Sequence, residues 1–597
     1  MSLIDLPLHW IRAAAVRRVF WLGGPLLLYA WTVTGPFVSD DLNIVLRAER
    51  YIRGESESGI LDLYRFAKSD EDWQTLRDRG VIAWWLPATG RLDFFRPVTD
   101  LAFYLDVRLF GRNVLGYRLD SLLVFAVALL CVHWLFVKAT GDPIRAGVAT
   151  FFFGISQTVT PPVTWMCNRQ DLLVVVGVTL AAGAYWSAWT RPRKRLALLA
   201  VLALVFALLS KEMAVSLALV VAVHELILRR KRAARRERPL AGGIAALLVL
   251  VTICYLGYYV YSRPWVFEFT GGDGLPTQLG TQLDVAISLY AAVWTIGFPV
   301  DVLMEAPTWA IYAVAATGAV MAMIVAVHLR KSMRHDRAAV FFLLWAIFFM
   351  LPGLRALSTN ARTLCVPTVG WAYLLAGLIL PSREENVVVP GLLRHFLFAA
   401  NGTVSIGCVI GTVLFMNHTE LSSRHRLTER LSRLDTPLRD GDALIMANAK
   451  SAMGMVWEGD RLEYLTGLKD VSVAYLLSPG TQADRIERED DHTLLLKSDG
   501  ASLFGSFTHR LKLGPNWKPR IGQTFRQRDF TAEIAQLGGD DAVTALRLRF
   551  NKPLSSPRLH FSPVTLQAIA RGRGASLAGV PRHPQAPEES LPPKLAN

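Results

Sequence analysis

Two adjacent carboxylates, Asp40 and Asp41, stand in the stretch PFVSDDLNIV, directly after an apolar run that ends at Val38. A carboxylate can take the proton of an attacking hydroxyl. Fixed cations recur at the ends of other apolar runs. They are Arg96 in RLDFFRPVTD, Arg169 with Asp171 and Trp165 in PPVTWMCNRQDLL, Lys211 beside Glu212 in LSKEMA, and Arg362 in LPGLRALSTNARTLCVPT. Arginine and lysine stabilise negative charge on a departing phosphate. Ionisable groups beside hydrocarbon are costly, so they pair or function. Carboxylates and cations on one side of a bilayer therefore fit group transfer from a lipid phosphate, whose tail stays in the membrane while its head reaches the face. A single Arg or Lys can instead anchor a span end by snorkelling. That plainer reading is weaker for Asp40 and Asp41, because adjacent carboxylates repel.

The elements that must position these residues are membrane spans. The 597-residue chain is 52% hydrophobic and only 19% charged, with mean hydropathy +0.32, which few soluble globular proteins reach. Apolar runs at roughly 19–38, 119–137, 146–163, 171–190, 196–210, 213–228, 241–261, 307–329, 338–354, 363–380 and 395–416 predict eleven transmembrane helices. The first run lacks a small-residue cleavage site and reads as a retained helix. The net charge of +15 concentrates in loops such as RPRKR (191–195) and RRKRAARRERP (229–239). That pattern follows cytoplasmic loops and not a nucleic-acid partner. It places the acidic pair and the cation-bearing loops on the extracytoplasmic face, as expected for a bacterial inner-membrane protein facing the periplasm. The five cysteines show neither metal spacing nor a disulfide framework.

The expected organisation is a transmembrane catalytic domain over 1–416, a β-rich extracytoplasmic domain over 417–575 and a disordered tail over 576–597. Within the first, 39–118 forms an outer loop with interfacial helices, Trp84 and Trp85 marking one of them. A second outer loop, 262–306, carries a re-entrant or interfacial helix at 284–303. Alternating patterns in VSVAYLLS (471–478), HTLLLKS (492–498) and VTALRLRF (543–550) predict strands.

The chain resembles the GT-C superfamily of polyprenyl-phosphate-sugar glycosyltransferases, most closely the protein O-mannosyltransferase-like group with its tetratricopeptide-containing members. The shared features, in order, are the acidic pair Asp40–Asp41 and FFRPVTDLAFYLDVRLFG, with Arg96 and Pro97, at a YRP-type motif. VTWMCNRQDLL follows with Trp165, Arg169 and Asp171, then Ser210–Lys211–Glu212 at an SKE motif, and ARTLCVPT with Arg362 and Pro367 near an ERxLYxPS motif. The likeness covers roughly residues 20–380; Ala361 stands at the family's late Glu, Arg118 at its His, and no tetratricopeptide array follows. The resemblance implies a polyprenyl-phosphate-linked sugar as donor and a protein, lipid or glycan hydroxyl as acceptor. It implies Asp40 or Asp41 as base, with Asp41 favoured to face the cavity. Arg96, Arg169, Lys211 and Arg362 become phosphate ligands, Glu212 orients Lys211, and Asp171 and Trp165 are orienting or structural residues. A divalent metal, Mg or Mn, at Asp40 and Asp41 is left open, as is an obligatory cofactor of any kind. The alternatives are a glycan polymerase or ligase using lipid-diphosphate donors, or a flippase of lipid-linked sugar. A flippase would call for an internal repeat, and the sequence has none.

Overall fold

A computed structural model describes residues 14–55, 59–86, 88–232, 239–263, 287–298, 308–333, 336–355, 361–380, 389–448, 457–477, 481, 483–504 and 517–572. The tail expected over 576–597, the heart of the 229–239 basic stretch and most of the 262–306 loop lie outside the described residues. The chain divides into two compact units, Met1–Lys68 with Arg91–Leu421, and Ser69–Gly90 with Ser422–Asn597.

The first unit is helical. Among the described residues, six helices are long and apolar enough to cross a bilayer: Val114–Thr140, Met166–Trp189, Leu240–Ser262, Trp309–Arg330, Ala361–Ile379 and Gly391–Ser432. They make this an integral membrane protein. The other expected spans are also helical but shorter or broken. Ala14–Ala30 holds Pro25 and gives way to a 3-10 turn at Trp31–Thr34. Pro143–Gly154 stops before Pro161 and Pro162, which open a separate short helix at Thr160–Thr164. Arg195–Ser210 has 16 residues, about 24 Å at 1.5 Å per residue. Helix length thus supports six spans, and a count of eleven rests on these shorter helices as well. Of the expected 284–303 helix, Ile287–Ile296 is helical.

Local sequence explains the helix ends. Asn113 accepts the Leu115 N–H to start Val114–Thr140, and Gly141 ends it at φ +67°. Asp142 caps the next helix, with Pro143 at its first position. Close packing needs small residues: a Cβ at Gly177 would lie 2.7 Å from the Ala203 carbonyl oxygen of the neighbouring helix. Where the apolar runs end, short 3-10 turns replace long loops, at Met166–Asn168, Glu212–Val215 and Ala361–Leu364. Each carries or adjoins a residue expected in the site.

The second unit contains the expected strands Ser472–Leu477, Thr493–Lys497 and Val543–Phe550. A three-stranded parallel sheet has the order Leu559–Ser562, Ala443–Asn448, Ser472–Leu477. A five-stranded antiparallel sheet has the order Arg485–Arg488, Thr493–Lys497, Val543–Phe550, Phe530–Leu537, Thr524–Arg526. Phe530, Ala532 and Ile534 alternate inward, as a one-faced antiparallel strand requires. Trp84 and Trp85 differ from expectation. They lie in a non-helical stretch and are only 3% and 2% exposed. Trp84 packs edge-on against Phe504, Phe525 and Phe530 and donates its indole N–H to the Tyr475 carbonyl at 2.6 Å. A buried tryptophan with its N–H satisfied suits a core as well as a bilayer interface, so composition alone could not separate the two.

Candidate active site

One short segment, 165–171, grips nearly every residue singled out from the sequence. The Trp165 indole donates to Asp40 Oδ1 at 2.6 Å. The Cys167 N–H donates to Asp41 Oδ1 at 2.8 Å. Asn168 Oδ1 accepts from Arg362 Nη1 at 2.8 Å, and the Arg362 guanidinium lies over the Trp165 ring at 5.2 Å. Gln170 Oε1 accepts from Arg96 Nη1 at 2.9 Å. Asp171 takes Lys211 Nζ on both oxygens, at 2.7 and 2.9 Å. Arg169 itself is bound by Asp106 and Asp120. The segment can do this because it is a tight 3-10 turn, Met166–Asn168, running straight into the helix Gln170–Thr190. Successive side chains of such a turn point in different directions.

The two carboxylates are unlike. Asp41 opens the helix Asp41–Ile52 and is 0% exposed. Its second oxygen accepts the Val38 N–H at 2.9 Å, so both oxygens are committed to the backbone. Asp40 is partly exposed and follows Ser39, which sits in the left-handed region at φ +53°. A non-glycine residue in that region is strained and must be held by its surroundings. The arrangement reverses the expectation that Asp41 would face the cavity. Burial pushes the Asp40 carboxyl above its ordinary range, against Arg362 and the Trp165 indole. Burial and then the charge of Asp40 push Asp41 up to about 7. The pair therefore titrates as a coupled unit.

The cations are arranged around this pair. Arg96, 5% exposed, makes a bidentate pair with Glu212 at 2.6 and 3.1 Å. It lies over Phe94 at 4.2 Å. Glu212 therefore orients Arg96, not Lys211 as expected, and Asp171 takes the role of holding Lys211. Burial pushes the Glu212 carboxyl up, but Arg96 more than offsets this and holds it below its usual range. Burial lowers the Lys211 amine, and the charges of Arg96 and Arg362 press the same way against Asp171. Three cations thus share one electrostatic field. Arg169 stands apart: it is 1% exposed with two carboxylates on its guanidinium. Its charge is already matched, unlike the phosphate ligand expected from the sequence.

Asp40, Asp41 and the Cys167 thiol each offer one ligand atom within 4.8 Å of one another. This set does not fit Mg or Mn. Those ions take oxygen ligands in a near-octahedral shell. Here both Asp41 oxygens hold backbone N–H groups, one Asp40 oxygen holds an indole, and the third group is a thiol.

Reading the sequence missed Asn168, Gln170, Asp106 and Asp120. Asn168 and Gln170 carried a weak signal, being neutral polar residues inside VTWMCNRQDLL. The two aspartates meet Arg169 from 63 and 49 positions away, which no local pattern reveals.

No protein-family model matches the chain, and no curated protein matches it. Among solved structures, the chain is similar to the apo form of the Archaeoglobus fulgidus oligosaccharyltransferase, with TM-score 0.42 and 12% identity. That match covers 78% of this chain and spans 65% of the length of that one. ArnT from Cupriavidus metallidurans, bound to undecaprenyl phosphate, is similar with TM-score 0.38 and 12% identity, over 90% of this chain and 98% of that one.

Proposed function

We propose that this protein is a membrane glycosyltransferase of the GT-C type. It moves a sugar from a polyprenyl-phosphate donor to an acceptor hydroxyl at the extracytoplasmic face. The observation that carries this reading is the convergence on segment 165–171 of a partly exposed carboxylate and three cations, two of them, Lys211 and Arg362, at the ends of apolar helices. Asp40 takes the proton from the acceptor hydroxyl. The oxygen attacks the anomeric carbon as the sugar–phosphate bond breaks, and the bonding pair leaves with the phosphate. Arg362, Arg96 and Lys211 stabilise that charge, each already oriented by Asn168, Glu212 or Asp171. Such preorganised donors need no rearrangement at the moment of reaction. Asp41 fixes the loop that presents Asp40. No step runs through a metal, since the donor set does not suit the hard cations. The acceptor is a protein, lipid or glycan hydroxyl.

The test is to reconstitute the purified protein with a panel of labelled polyprenyl-phosphate monosaccharides and membrane extract. Label should leave the lipid phosphate for an extract component. If no member of the panel loses label above a protein-free control, the reading is wrong.

A further inference from the structure

A residue that nothing above assigns reaches the acidic pair from the outer loop. Tyr64 is 2% exposed. Its hydroxyl donates to the Cys167 carbonyl at 2.6 Å, and the Cys167 N–H donates to Asp41 at 2.8 Å. Both peptide planes that flank the Cys167 α-carbon are therefore held, one by Tyr64 and one by Asp41. Tyr64 is itself fixed. Its N–H donates to Asp100 Oδ1 at 3.1 Å, its carbonyl accepts from Phe94 at 3.2 Å, and Arg96 lies over its ring at 5.5 Å. Asp100 is 0% exposed, and its other oxygen has no hydrogen-bond partner among the described residues. A buried carboxylate serving a single backbone N–H is a costly way to hold a loop. That cost marks the position of Tyr64 as one the fold specifies closely.

We infer that Tyr64 is a positioning residue for the transfer reaction, acting through the Cys167 backbone to set the acidic pair against segment 165–171. The inference rests on the glycosyltransferase reading. Trp165 and Cys167 lie two residues apart on that turn and hold Asp40 and Asp41 respectively. Releasing the Cys167 carbonyl lets the turn rotate, which moves the indole on Asp40 and the N–H on Asp41 together. Two of the three donor phosphate ligands, Arg96 and Lys211, are held by Gln170 and Asp171, on the helix that follows the turn. Loss of the Tyr64 hydroxyl should therefore slow turnover while sparing donor affinity. A misplacement of even an ångström at a reacting centre can cost orders of magnitude in rate.

The experiment compares Tyr64→Phe, Phe66→Leu and Asp40→Asn in the full chain, using the panel donor that the parent consumes. Phe66 packs edge-on against the Tyr64 ring at 5.9 Å and controls for packing. Tyr64→Phe should lower kcat by about tenfold, with donor KM within twofold and the parent melting temperature. Phe66→Leu should leave kcat within twofold. A parent-like kcat in Tyr64→Phe overturns the inference. So does an equal fall in Phe66→Leu, which assigns Tyr64 to packing, or a Tyr64→Phe protein that no longer folds, which makes its hydroxyl a structural group. The two levels separate: a parent that consumes no donor of the panel removes the underlying glycosyltransferase reading, and parent-rate transfer by Asp40→Asn removes Asp40 as its base, whatever Tyr64 does.

Discussion

The protein buries charge in two places and in two ways. In the second unit, Glu458 and Arg461 pair at 2.6 Å with side chains 2% and 1% exposed. The other Glu458 oxygen accepts the Tyr475 hydroxyl at 3.0 Å, and Arg430 donates to that hydroxyl at 3.2 Å. The ion pair at its centre is closed, and only Arg430 and Tyr475 at its edge are partly exposed. At segment 165–171 the charges are also paired, but the shell is left open at several points. Asp40 and Arg362 are partly exposed, and the Glu212 side chain is 32% exposed. A closed cluster can only hold structure together. An open one keeps charged atoms available to something that arrives. The difference separates a structural ion pair from a reaction centre more sharply than charge, burial or distance does alone.

Breaking the closed cluster should cost stability and nothing else. Glu458→Ala removes the carboxylate from beneath Arg461 and Tyr475, a change that in buried pairs costs about 3–5 kcal/mol. Denaturant unfolding of the full chain should show that loss, while transfer per folded molecule stays at the parent level. Breaking the open site should do the opposite. Arg362→Gln removes a charge that donates to Asn168, lies over the Trp165 ring and acts on Asp40. Turnover should fall by the worth of one charge-assisted contact, about 1.5–3 kcal/mol, with the unfolding midpoint little changed. Lys211→Ala sharpens the contrast less, because it also strands Asp171, which is 0% exposed, and should cost stability as well as rate.

A smaller effect concerns pH. The active pair must carry a carboxylate on Asp40, and burial raises both groups. The rate should therefore rise with pH through a limb above the usual carboxylate range, as the burial of Asp40 dictates, and fall as protons return below it. Asp41→Asn removes the neighbouring negative charge, so Asp40 ionises more readily. The limb should then move to lower pH. A limb that stays put would show that the carboxylates do not sense each other. The smallest expected effect is that of a chelator. Treatment with EDTA should change transfer less than twofold, and restoration of a lost rate by Mn would contradict the donor-set argument.

How much of this was legible in the sequence follows from the range of each interaction. Asp40, Asp41, Arg96, Lys211 and Arg362 stand out because a charge at the end of an apolar run is costly. Their partners do not stand out. Gln170 is uncharged, Asp106 looks like any residue of an amphipathic helix, and Tyr64 lies in a loop with no periodicity. The exchange of partners between Glu212 and Asp171 could not be read at all, since Lys211 and Glu212 are adjacent and only the fold turns them apart. The strands 472–477, 493–497 and 543–550 were legible from alternation. The strand Ala443–Asn448 was not: it is the middle strand of the parallel sheet, and its ALIMA is an unbroken apolar run with no period of two.

The central claim is a division of labour between two neighbouring carboxylates: Asp40 reacts, and Asp41 holds the backbone. It is tested most directly by making Asp40→Asn and Asp41→Asn separately and measuring sugar transfer and donor-lipid retention side by side. The expected result is a loss of about 10²–10⁴-fold in transfer for Asp40→Asn, with donor retention near the parent level. Asp41→Asn should fall less and keep a measurable rate. Parent-rate transfer by Asp40→Asn, or a complete loss confined to Asp41→Asn, would contradict it.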